Sequence, residues 1–105
     1  MTSSSPFVER RFDLLKSGGE RVRFTVGYGP VYQRGEDFFC PVQFAGWANP
    51  PPDIQGDDSL QALLHAVGLV HAILRDFIKH GGRVFYAGTD CDYLFERIIV
   101  DEPSA

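Results

Sequence analysis

The chain has 105 residues and a formal net charge of −4, with 44% apolar and 23% charged residues. That balance supports a single globular domain with a real core and excludes global disorder. No apolar run of transmembrane length and no basic-then-apolar leader is visible, so the reading is cytoplasmic, with no membrane association.

Residues 1–6 and 101–105 read as disordered polar tails around one domain at 7–100. Charge is uneven: residues 1–34 hold six Arg/Lys against three acids, and residues 35–105 hold four against eleven. Taken in order, residues 7–15 alternate, with Val8, Phe12 and Leu14 on one face and Glu9, Arg11 and Asp13 on the other. Val22, Phe24, Val26 and Tyr28 alternate with Arg21, Arg23 and Thr25 in the next run, and Ser17, Gly18 and Gly19 form the hairpin loop. A three-residue loop pairs Lys16 with Glu20, Leu14 with Val22 and Phe12 with Phe24, and sets Asp13 opposite Arg23. A one-residue slip would put Phe24 against Asp13, so this register wins. The pairing balances much of the local basic charge, and no nucleic-acid motif accompanies it, so no nucleic-acid partner is expected.

Residues 27–30 break or bulge the second strand, and 33–37 make a turn. Residues 37–47 read as a third strand with Phe38, Cys40, Val42 and Phe44 inward and Phe39, Gln43 and Trp47 on the other face. Pro41 lacks an N–H, which places this strand at an edge or a bulge. Asn49 and the three prolines after it form an extended crossover.

Residues 57–82 are the one long periodic segment. Asp58 is the expected N-cap, Gln61 closes a capping box, and Gly81 with Gly82 ends the helix. Leu60, Leu64, Val67, His71, Leu74 and Ile78 share a face, and Ala62, Ala66, Leu69 and Ile73 continue it into an apolar arc of roughly 220°. Such an arc needs cover on two sides. A sheet supplies one; a loop, the chain's own terminal segment or a second subunit supplies the other. Residues 83–87 read as a fourth strand, Asp90 as the cap of a short helical turn through Glu96, and 97–100 as extended chain. The fold class is α+β: a two-layer sandwich of an antiparallel sheet in the order β-β-β-α-β, with the long helix on one face.

Two stretches carry a resemblance: D-F-F-C-P-V-Q-F-A-G at 37–46 and G-D-D-S-L-Q-A-L-L-H-A at 56–66. Together they resemble a family of small bacterial proteins of unknown function. Its strand carries aromatic-x-C-P-x-x-(I/F)-x-G, and its long helix opens with G-x-D-(S/A)-x-Q-A-L. The matching positions here are Cys40, Pro41, Gly46, Asp58, Gln61, Ala62 and Leu63, within residues 7–87. The resemblance implies the fold and carries no activity.

No catalytic grouping stands out. His65 and His71 lie about 120° apart on the helix and cannot chelate one metal as an i, i+4 pair does. His65 reads as solvated, His71 as a hydrogen-bonded boundary residue, and His80 as a partner of the helix dipole. Cys40 reads as an inert buried thiol; with Cys91 it makes two reduced, partly buried thiols without metal-ligand spacing. Asp90 and Asp92 read as a cap and a solvated charge. No cofactor and no metal are expected, nor any phosphate loop or Ser-His-Asp order.

Binding candidates are Trp47 and Phe39 beside the proline crossover, the His71 and Arg75 pair as an anion contact, and Leu69 and Ile73 on the helix. The expectation is a non-enzymatic protein-interaction domain, partner-binding or homodimeric, with an immunity-type protein as one concrete form. The alternative is a small-molecule module with an aromatic pocket between helix and sheet, lined by Phe38, Tyr86 and Trp47.

Overall fold

The computed structural model describes residues 6–93. Strands β1 (Val8–Leu15) and β2 (Arg21–Tyr28) form the hairpin in the register derived above, with Leu14 opposite Val22, Phe12 opposite Phe24 and Asp13 opposite Arg23. The Lys16 amide donates to the Glu20 carbonyl at 2.8 Å and closes the loop. This register keeps Phe12, Leu14, Phe24 and Val26 on one buried face, all at 1% exposure or less.

The segment expected to be one strand at 37–47 divides at Pro41. Before it, β3 (Tyr32–Arg34) and β4 (Asp37–Cys40) pair as a second hairpin; after it, β5 (Val42–Ala45) pairs with β2. Proline has no N–H to continue a ladder, so the chain changes sheets there. The proline crossover leads to β6 (Ile54–Gly56), which pairs with β4 and which the sequence did not announce. After helix α1 (Ser59–Lys79), β7 (Arg83–Tyr86) returns beside β1. Among the described residues the result is an α+β sandwich: two antiparallel sheets, ordered β5-β2-β1-β7 and β3-β4-β6, with a single helix packed on them.

Helix α1 begins and ends as its sequence dictates. The Asp58 carboxylate accepts from the Gln61 amide at 2.7 Å. Gln61 reaches back, but it accepts from the Asp57 amide (2.6 Å), one residue further out than a capping box requires. At the other end the Gly82 amide donates to Phe77 and the Gly81 amide to Ile78, both at 3.0 Å, with Gly81 at φ 99°. This is a Schellman ending, and the positive φ is why glycine stands there.

The small sheet covers one margin of the wide apolar arc. Ala62 and Ala66 are fully buried, where the helix meets β4 and β6. Small side chains let it come so close that a Cβ on Gly56 would lie 2.7 Å from the Ala62 Cα. Val70 and Leu74 are equally buried in the common core, and the Phe77 ring meets Trp47 edge-on at 5.0 Å. Contrary to the expectation of no segment long and apolar enough to span a membrane, Ser59–Lys79 reaches that length with a mean hydropathy of 1.2. Only 28% of that stretch is buried, so its packing on two sheets accounts for part of that apolarity, and the rest stays at the surface, at Leu60 and Ile78 among others.

The helical turn expected from Asp90 does not form within the described chain. Asp92 instead makes an antiparallel bridge to Phe85, and the Tyr93 amide donates to the Val84 carbonyl at 2.9 Å. The expected extended segment at 97–100 lies outside the described residues.

Candidate functional site

The charged face of the main sheet is internally neutralised. Asp13, 7% exposed, accepts from Arg23 Nε at 2.5 Å and from the Gly88 amide at 2.9 Å, with Arg21 3.5 Å away. The Gly88 N–H, then Arg23, hold its carboxyl below the ordinary aspartate value. Asp90 caps no helical turn within the described chain and accepts from Arg21 at 2.8 Å; Asp92 is a solvated charge as expected, 57% exposed, and accepts from Arg83 at 3.1 Å. Arg21 and Arg83 also lie over the Phe85 ring, at 4.7 and 4.8 Å. The basic hairpin is therefore a paired surface.

The residues singled out from sequence are scattered. After Gly46, at φ 104°, the chain turns Trp47 inward between Phe24 (5.2 Å) and Phe77, so it packs with Val42 and Phe44 rather than opposite them. Phe39 stacks on Tyr32 at 5.5 Å in the small sheet, and the Tyr32 hydroxyl donates to Asp53 at 2.5 Å. Leu69 and Ile73 are half-buried, and Arg75 is exposed.

His71 is buried at 2% exposure, deeper than a boundary residue, with Nε2 3.1 Å from the Tyr93 hydroxyl. His65 is half-buried rather than solvated; its Nδ1 donates to the Gln55 carbonyl at 3.1 Å. Cys40 is buried, and burial pushes its thiol pKa up, away from nucleophilic use. Cys91, expected to be partly buried, is exposed. Among the described residues no three His, Cys, Asp or Glu side chains come together to hold a metal ion.

What the fold does bring together is an apolar groove between the start of β1 and the first half of α1. Its inner part, about 260 Å³, lies between Val8, Arg10 and Phe12 on the strand side and Leu63, Leu64, Val67 and His71 on the helix, with Tyr93 at its end. Its outer part, about 380 Å³, lies among Phe7, Pro30, Val31 and Leu60. Tyr28 and Leu63 line both parts, so the two hollows adjoin. Phe7 and Leu60 stand at its mouth, 73% and 61% exposed.

The inner wall is aromatic. The Tyr93 ring meets Phe12 edge-on at 4.9 Å, and the Arg10 guanidinium lies over it at 5.3 Å. Burial raises the pKa of both the Tyr28 and Tyr93 phenols. None of the three aromatics expected to line a pocket, Phe38, Tyr86 and Trp47, borders either part. Periodicity had marked Leu60, Leu63, Leu64 and Val67 as apolar. It could not show that β1 would leave Leu60 exposed and the other three only half-buried.

No family model, curated protein or solved structure matches the chain.

Proposed function

We propose that this chain is a non-enzymatic protein-interaction domain that docks its partner in the groove between β1 and α1. The observation that carries this reading is the pair of large exposed apolar side chains, Phe7 and Leu60, that line the outer of two adjoining apolar hollows. Contiguous exposed apolar surface of this kind marks contact sites. An acidic net charge and a cleft suit the immunity-type form, in which a small acidic protein covers a basic partner. An exposed free thiol at Cys91 fits a reducing cytoplasm.

The alternative, a small-molecule module, draws on the inner part of the groove, where His71 and the Tyr93 hydroxyl meet an aromatic wall. The two readings separate by experiment. Tagged chain and its Phe7→Ser/Leu60→Glu variant are purified side by side from the native host, and bound proteins are quantified by mass spectrometry. Docking at the mouth predicts a stoichiometric protein retained by the wild type and lost from a folded variant. Equal retention by both, or no protein at all, overturns it.

A further inference from the structure

We infer that the groove takes its partner by strand addition: an extended peptide pairs antiparallel with the open edge of β1 at Val8–Arg11. The proposal rests on the docking reading above and specifies what docks. Strand β7 covers β1 only from Phe12 to Leu15. Among the described residues no strand lies beside Val8, Glu9, Arg10 and Arg11 on that side, while β2 pairs with all four on the other.

The direction of the free backbone groups follows from the ladder. Lys16 bonds Glu20, so even-numbered residues of β1 exchange hydrogen bonds with β2. The N–H and C=O groups of Glu9 and the N–H of Arg11 therefore point to the open side, as those of Asp13 and Leu15 point to β7; the Arg11 carbonyl is set against the Ala87 amide by the Phe12–Tyr86 pairing. A strand edge that stops halfway is a template for another chain.

The groove lies against this edge, since Val8 and Arg10 belong to its inner wall. An added strand in line with β7 runs antiparallel to β1, from Arg11 toward Val8. Its alternate side chains, opposite Arg10 and Val8, enter the groove over Leu63 and Leu64. The intervening ones meet Arg11 and Glu9 on the outer face; these two pair with each other at 3.3 Å and stay exposed, so an acid opposite Arg11 and a base opposite Glu9 extend that pair across the added strand. At the mouth, Ser59 and Leu60 follow Asp57 and Asp58 directly, so a further base near the peptide's C-terminal end is favoured. The partner is thus an extended segment of the pattern acid-apolar-base-apolar-base-apolar.

The probe is the synthetic peptide acetyl-EIKVKL-amide, titrated into the isotope-labelled full chain and followed by amide hydrogen exchange. Without peptide, the Glu9 and Arg11 amides exchange much faster than those of Asp13 and Leu15. With saturating peptide they slow by about tenfold or more, and the charge-reversed peptide acetyl-KIEVEL-amide has no such effect. Protection of Glu9 and Arg11 before any peptide is added means that residues 94–105 or a second copy already hold the edge, which overturns the proposal.

A peptide N-methylated at its first Lys loses the backbone donor that faces the Glu9 carbonyl, and should bind about tenfold more weakly. If it binds equally well, while Leu60→Glu weakens both peptides, the groove docks ligands but not by strand addition. If Leu60→Glu changes nothing, the groove reading falls as well. Arg11→Pro removes an open-edge donor and an exposed ion pair but no hydrogen bond to β2, so the variant should fold and fail to bind. If it does not fold, the N-methylated peptide still decides.

Discussion

Replacing Gly56 by alanine should destabilise this protein more than any other single added methyl in its small sheet. The new Cβ would sit 2.7 Å from the Ala62 Cα and closer still to the Ala62 N, both backbone atoms of the first helical turn. Overpacking costs about 1–3 kcal/mol where side chains can shift. Here the helix itself must move away from β6, so the upper end, about 3 kcal/mol, is expected. For a domain of this size that lowers the melting temperature by about 12–24 °C, measured by circular dichroism on heating. A second change separates backbone from side-chain crowding. Ala62→Gly should not rescue Gly56→Ala, because the obstructing atoms remain. By contrast Gly82→Ala crowds the Phe77 ring, and Phe77→Leu should show favourable coupling with it. A melting temperature within about 3 °C of the wild type for Gly56→Ala would refute the close approach of α1 to β6.

Asp13→Asn should lower stability at neutral pH. The Asp13 carboxyl sits below its ordinary value of 3.8, so its contribution is present above that pH and is lost as pH falls through the folded-state value. The gap between wild type and variant in urea titrations should therefore close below about pH 3.8. A gap independent of pH would point to a role in shape rather than charge. Trp47→Ala should cost about 3–5 kcal/mol, since the ring joins Phe24 of the sheet to Phe77 of the helix. As the sole tryptophan, it should emit at short wavelength in the native state and shift red on unfolding.

Local chemistry made part of this fold readable. The β1–β2 register followed from matching Leu14, Phe12 and Asp13 to their partners across three loop residues. The helix ends followed from Asp58 and Gly81. The small sheet was not readable because its strands are three or four residues long, too short for alternation to speak, and because Pro41 divides what looked like one strand between two sheets. The inward turn of Trp47 depends on Gly46 in the left-handed region, where a Cβ would strike the Arg23 carbonyl oxygen. His71 looked like a boundary residue because its cover, Tyr93, arrives from 22 residues downstream. The groove was the least legible feature. Its helix side lay in plain sight as Leu60, Leu63, Leu64 and Val67, but its existence depends on where β7 stops along β1.

Docking at the mouth of that groove is tested most directly by site-specific photo-crosslinking in the native host. A benzophenone amino acid is placed at Leu60, which is exposed beside the cleft, or at Gly18 in the hairpin loop, as the control. The account predicts a discrete protein adduct from position 60, abolished by Phe7→Ser, and none from position 18. Identical adducts from both positions, or none from position 60 in a folded chain, would contradict it.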